Sequence, residues 1–289
     1  MRRHQSTLAL ITASLAAMPL MVATATAGTA GSSDEPIPAV AHPSEVADFS
    51  HPTRIDNELF PLRPGTDWVY EGTVTEAGEA VPHRVVFTVS SLTKVIDGVR
   101  TRVIWDRDYG DGELEEAELA FFAQADDGDL WRFAEYPEEF ADGVFEGAPN
   151  LWITGMAKAR AGIYMLDDPE VGDSYEQGLV RPIEFWDIAE VKADGLRNCV
   201  PVDCYDDVIR IHETSPFDPE GGTQTKFYAP DVGLIRIGAI GGDAQEVMTL
   251  RSMKTLSEDQ LDRVDANVLR MDRHGREVSD VYAKTAPVR

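Results

Sequence analysis

From Asp67 onward the chain alternates apolar and polar residues with a period of two, the pattern of strands that keep one face on a core. Trp68, Tyr70 and Gly72 alternate with Val69 and Glu71. Residues 84–95 place Val85, Phe87 and Val89 in one phase, and after an Asp97-Gly98 turn Val99, Thr101, Val103 and Trp105 resume the alternation over 99–106. Asp111-Gly112 and Asp127-Gly128 are further tight turns, with strands expected over 115–124 and 130–135. Five strands joined this way form an antiparallel meander.

The meander is written twice. Phe121-Phe122-Ala123, a turn and Leu130-Trp131-Arg132-Phe133 are echoed by Phe227-Tyr228-Ala229, a turn and Leu234-Ile235-Arg236-Ile237. Val171 to Glu176 echoes Gly65 to Glu71, and the offsets stay between 104 and 107, a domain-scale repeat. The expected fold is therefore mainly β: a tandem duplication of a five-stranded antiparallel meander, over 58–135 and 171–255, forming one curved sheet or half-barrel. Two separate five-stranded domains are the alternative. Residues 136–170, with several Gly and Pro, read as a connecting loop or lid, or as elements without a legible pattern.

At the C-terminus the period changes to that of a helix. Ser257 can cap it, Glu258 and Asp259 suit its positive end, and Leu261, Val264, Val268 and Met271 share one stripe. An amphipathic helix is expected over 256–274, ended by Gly275, with 275–289 as a tail.

The N-terminus reads as an export signal. Arg2 and Arg3 precede an uncharged apolar run from Leu8 to Val22, and Ala25-Thr26-Ala27 offers a small-x-small cleavage site, so 1–27 is expected to be removed. An uncleaved anchor is the alternative. Residues 28–57, rich in Gly, Ala, Ser and Pro, read as a flexible leader or a strap laid over the surface. The expected location is secreted or within the cell envelope. There Cys199 and Cys204, the sole cysteines, are expected to form a disulfide across a hairpin turn.

Charge narrows the partners. The sequence holds 51 acidic and 26 basic residues, a net charge of −25, which repels nucleic acid and anionic membrane surfaces. The acidity reads first as a solubility device and second as a means of attracting cations. In Asp106-Arg107-Asp108-Tyr109-Gly110-Asp111-Gly112-Glu113, the residues Asp106, Asp108 and Asp111 are candidate calcium ligands, although the third acid falls where the helix-loop-helix calcium motif needs glycine. No other cofactor motif is present. There is no Gly-x-Ser-x-Gly elbow, no catalytic residue stands out, and His83 and His212 each lack a legible partner.

The better-placed candidates are aromatic. Trp68, Tyr70, Trp105, Phe122, Trp131 and Tyr228 come from successive strands and either line a concave face that holds an apolar ligand or fill the core.

The opening Pro64-Gly65-Thr66-Asp67-Trp68-Val69-Tyr70-Glu71-Gly72 and the turn Phe227-Tyr228-Ala229-Pro230-Asp231-Val232-Gly233-Leu234 resemble a group of exported bacterial β-proteins of uncharacterised function. The resemblance spans about 60–255 and implies no activity. In pattern alone the chain is also similar to the half-barrel lipoprotein-carrier fold, which holds acyl chains. The leading expectation is a non-enzymatic module binding a hydrophobic ligand or an envelope partner. The alternatives are an extracellular hydrolase working through acidic residues, with or without calcium, and a purely structural envelope protein.

Overall fold

The computed structural model describes residues 47–76 and 78–289. The expected signal peptide and most of the expected leader lie outside them. The strands are β1 Thr66–Glu76, β2 Glu79–Ile96, β3 Val99–Gly110, β4 Glu113–Gln124, β5 Leu130–Ala141, β6 Val144–Gly147, β7 Trp152–Ile153, β8 Arg160–Met165, β9 Ser174–Val180, β10 Phe185–Cys199, β11 Cys204–Thr214, β12 Thr223–Ala229, β13 Gly233–Ile240 and β14 Glu246–Thr255. One α-helix, α1, spans Glu258–Val278.

Twelve of the strands form a closed antiparallel barrel in chain order, with β1 pairing β14 at the seam. The half-barrel expectation is thereby corrected. An open sheet would leave two rows of unpaired backbone groups, and closure removes both edges. The five-stranded duplication is not confirmed either. The ring consists of two runs of six strands, β1–β5 with β8 and then β9–β14, so a five-stranded unit does not describe either run. The strand that the sequence pattern did not show is β8, which pairs with both β5 and β9. It lay hidden in the 136–170 connection because Ala161 and Gly162 mask its alternation. Gly162 is small for a reason: a Cβ there would lie 2.3 Å from the backbone of Gln177 and Gly178. The short strands β6 and β7 add to the outer edge of β5 beyond the reach of β8.

The two echoed hairpins, β4–β5 and β12–β13, share an irregularity. The register slips between Phe121 and Phe122 in one and between Phe227 and Tyr228 in the other. Such bulges bend strands where a barrel must curve.

Turns alternate between the two ends of the barrel. The lower end carries the β4–β5, β8–β9, β10–β11 and β12–β13 turns; the upper end carries the β1–β2, β3–β4, β11–β12 and β13–β14 turns. Residues 55–62 close the lower end. Ile55, Leu59, Phe60 and Leu62 are buried with the inward residues of the strands. Asn57 ties this segment down, donating to the Gly128 and Leu166 carbonyls and accepting from the Leu59 and Phe60 amides. Upstream, Phe49 packs edge-on against Phe133 at 5.5 Å on the barrel exterior. Residues 47–57 are held against the barrel, because Phe49 and Ile55 pack into two separate cores.

Helix α1 packs outside the barrel. Val264, Val268 and Met271 join Val103, Leu119, Phe121 and Tyr136 in a second core between helix and sheet. The helix runs four residues beyond 274. Gly275 does not stop it but lets it approach Tyr136, whose ring a Cβ at that position would meet at 2.6 Å. The expected tail is also ordered: Tyr282 stacks on Tyr136 at 4.3 Å, and the Arg289 backbone pairs with that of Thr93. Beneath it the Lys94 ammonium meets the Asp272 carboxylate at 2.7 Å, out of water.

Among the described residues, no helix is long and apolar enough to cross a membrane. The exterior of β1 and β14 is charged, with Arg251 paired to Glu71 and Lys254 to Asp67.

Candidate functional site: an acid-lined lumen

Strand alternation sorts the expected residues into two environments. Trp68, Tyr70, Phe122 and Tyr228 point into the barrel, where they belong to one core with Phe60. The Phe60 ring lies 5.8 Å from Phe87, 5.1 Å from Tyr164 and 6.0 Å from Tyr228. The indole of Trp68 donates to the Val232 carbonyl and the Tyr70 hydroxyl to that of Leu234, both at 2.9 Å. Trp105 and Trp131 point outward: Trp105 carries the Arg107 guanidinium over its face at 3.9 Å, and Trp131 packs against Phe49. The six aromatics therefore do not line one surface. The four inward ones are packed by the chain's own Phe60 segment.

The calcium candidates are not brought together either. Strand β3 continues beyond the expected 99–106 to Gly110, so Asp106 and Asp108 point inward while Asp111 sits in the exposed turn beyond, at φ 47°. Among the described residues, no group of three His, Cys, Asp or Glu side chains is arranged to hold a metal ion.

The inward phase of the strands stays inward towards the upper end but changes chemistry. In β2, Val89, Phe87 and Val85 are followed by His83; in β4, Phe122 and Ala120 are followed by Glu118 and Glu116; in β12, Tyr228 is followed by Lys226 and Gln224. Register places Asp106 opposite Glu118 and Asp108 opposite Glu116. Glu135, Asp187, Glu213 and Glu246 complete the set from β5, β10, β11 and β14, all buried. Two cations share the space with these eight carboxyls, Arg132 and Lys226.

The lumen divides by how its acids are matched. On one side the chain supplies the counter-charge. Lys226 meets Glu213 at 2.5 Å and Arg132 meets Glu135 at 2.6 Å, while Glu135 also accepts from the Trp152 indole and Glu213 from Gln177. Burial alone would lower the Lys226 amine, but the Glu213 carboxylate outweighs it and holds the proton. On the other side, formed by β2, β3, β4 and β14, the fields of Lys226 and Arg132 reach Glu246 and Glu118, but among the described residues no lysine or arginine pairs with Asp108 or Glu116. The His83 imidazole lies 3.6 Å from Glu246 and 4.0 Å from Asp108, and burial pushes it down to about 4, so it is neutral at pH 7. Both oxygens of Asp108, one of Glu116 and one of Glu246 are buried without a hydrogen-bond partner.

These acids are shifted as their setting demands. Burial raises Asp106 to about 7, against the Arg107 amide that donates to it at 2.8 Å. Burial raises Glu246 to about 8, against the pull of Lys226. Asp108 and Glu116 are raised by burial and then by neighbouring acids, Asp106 and Glu246 for the first and Glu118 and Asp108 for the second. Burial likewise raises Asp187, against Arg132. Desolvation penalises each charge, and the single donors on Asp106 (the Arg107 amide) and Glu246 (the Gln224 side chain) do not outweigh it.

The composition hid this. Acids scattered through a chain of net charge −25 read as solvated surface, yet Glu118 and Glu116 fall in the phase of the inward Phe122 and Ala120 on β4, and Asp106 and Asp108 in that of the inward Ile104 on β3. That phase was the one available signal. The match of Cys199 to Cys204 across β10 and β11 forms a disulfide at the lower end.

No family model matches the chain, and no curated protein matches it. Two solved structures are similar to it. One, from Bacteroides fragilis, is described as an exported protein with a YmcC-like fold; it shares 14% identity, and the alignment covers 69% of this chain and 100% of that one at a TM-score of 0.41. The other, from Parabacteroides distasonis, is described as a lipoprotein; it shares 14% identity over 68% of this chain and 99% of that one at a TM-score of 0.32. Likeness at this level carries no argument about ligand or activity.

Proposed function

We propose that the protein is an exported, non-enzymatic binding barrel that takes a small polar molecule into the upper half of its lumen. The observation that carries the reading is the buried Asp108 carboxyl, with both oxygens lacking a hydrogen-bond partner inside an acid-lined cage. A buried polar group left unsatisfied costs roughly 1–3 kcal/mol, and a barrel serving only as scaffold has no reason to carry several of them. The reading replaces the hydrophobic-ligand expectation, because Phe60 and its neighbours already occupy the aromatic end. Export is supported by the Arg2-Arg3 and Ala25-Thr26-Ala27 pattern and by the Cys199–Cys204 disulfide, which suits an oxidising compartment.

Native mass spectrometry on the exported chain tests this reading. The expected result is a bound mass that is released when the barrel unfolds. A chain recovered only at its own mass, with Asp108 and Glu116 hydrated by exchangeable water alone, would overturn it.

One observation favours a second reading. Paired carboxyls with raised proton affinity, Asp106 with Glu118 and Asp108 with Glu116, are the groups that acid-catalysed hydrolysis uses. Turnover of a glycoside or ester substrate that disappears in Asp108→Asn would favour hydrolysis over binding.

A further inference from the structure

The lumen contains its own example of how it accommodates positive charge. On the β11–β12 wall the Lys226 ammonium is buried between inward acids, 2.5 Å from Glu213. Its field also reaches Glu246 and Asp187. On the wall made by β3 and β4 the acids are as crowded and as deeply buried; Arg132 reaches Glu118 and Arg107 reaches Asp106, but among the described residues no lysine or arginine is paired with Asp108 or Glu116. Asp108 faces Glu116 directly across the β3–β4 ladder, an arrangement in which like charges repel. Asp108 is 1% exposed and Glu116 4%, and three of their four carboxyl oxygens lack a hydrogen-bond partner. His83 stands between Asp108 and Glu246 without supplying charge.

Resting on the binding reading above, we propose that this wall is a subsite for a small aliphatic ammonium ion, held by Asp108 and Glu116 with Glu246 beside them. The guest does on the β3–β4 wall what the Lys226 amine does on the β11–β12 wall. An alkylammonium brings three donors on one compact head, matching several separated acceptors, whereas a guanidinium needs a planar pair of oxygens from one carboxylate. A divalent metal needs converging oxygen ligands at a common centre, and the described residues provide no such group. The ligand's alkyl portion can lie against Val85, which sits opposite Asp108 on β2. Burial of the acids makes the site an enclosed one, so that binding fixes proton and guest together: an ammonium arriving at a protonated pair displaces one or more protons into solvent.

The test uses the disulfide-intact secreted chain with butylammonium chloride and 1,4-diaminobutane dihydrochloride as probes, at pH 7.5 and constant ionic strength, followed by isothermal titration calorimetry in two buffers of different ionisation enthalpy. One-to-one binding with net proton release is expected, weakened at least tenfold in Asp108→Asn/Glu116→Gln and unchanged in the exterior control Glu71→Gln. Either single variant carries the same test should the double one fail to fold, with circular dichroism as the check. Equal amine affinity in the lumen variants, or stabilisation by calcium chloride but not by amines, would overturn the proposal. A neutral or anionic guest found by native mass spectrometry would overturn it while leaving the binding reading intact; a water-filled lumen that binds no amine would remove both.

Discussion

The lower and upper halves of the barrel lumen are built by the same twelve strands and solve the same problem in opposite ways. At the lower end the inward side chains are aromatic and aliphatic, and residues 55–62 fold in to fill the remaining space. The polar tips of its aromatics find backbone acceptors, as the Trp68 indole does on Val232 and the Tyr70 hydroxyl on Leu234. At the upper end the inward positions are carboxyls, and the chain provides cations for only some of them. A packed core gains from excluding water and needs no guest. A cage of buried acids costs desolvation and is offset only by protons or positive charge. The difference locates where this barrel stores stability and where it gives stability up, which is where function is expected.

The comparison breaks most sharply at Phe60. Phe60→Ala empties the aromatic plug and is expected to cost about 4 kcal/mol in urea unfolding, with the same loss at pH 5 and pH 8 because nothing in contact titrates there. Next comes Lys226→Met, which leaves Glu213 buried without its cation. The expected loss is about 3 kcal/mol at pH 8, most of it recovered in Lys226→Met/Glu213→Gln, which removes the stranded acid. A double variant no more stable than Lys226→Met would show that Lys226 acts through packing alone. Opening the lower rim with Cys199→Ser/Cys204→Ser is expected to cost about 2 kcal/mol, as a short closed loop gains little entropy when released.

The smallest effect is the most diagnostic of the upper half. Asp106 and Glu246 bind protons more tightly in the folded chain, with values of about 7 and about 8, than in the unfolded one. Their contribution to stability is therefore complete below about pH 4 and is lost as pH rises through 7 to 8. His83 works in the other sense: depressed to about 4, it contributes above about pH 6.5 and loses that contribution as pH falls. Calorimetric melting is expected to show a decline from about pH 6 to pH 9, and Asp106→Asn should flatten it, gaining on the order of 1 kcal/mol at pH 8. Melting that rises over that range would contradict the placement of these acids in a low-dielectric lumen.

Much of the fold was legible before any coordinates. Turn chemistry at Asp97-Gly98, Asp111-Gly112 and Asp127-Gly128 located hairpins, since those positions do take left-handed or turn backbone. The cap at Ser257 and the Val264, Val268 and Met271 stripe located α1 and its buried face. What failed did so for identifiable reasons. Strand β8 was obscured by Ala161 and Gly162, which are small because β9 presses against them. Gly275 suggested a helix end when its role is to admit the Tyr136 ring. Trp105 and Trp131 counted as inward candidates because a strand with apolar residues on both faces does not announce which face is which; α1 and Phe49 supply the second apolar environment.

The sequence by itself determined the local text: period-two strands, turn positions, one amphipathic helix, a short disulfide and an excess of acid. These follow from residue-by-residue backbone preference and from side-chain alternation, which need no knowledge of distant neighbours. Only the tertiary structure decided that β14 returns to β1 and closes the ring, since that pairing joins residues far apart in the chain. Closure is also what turned one phase of each strand into an interior. The same aspartates and glutamates that would be solvated on an open sheet became a buried set, because a barrel has no second way for an inward side chain to reach water.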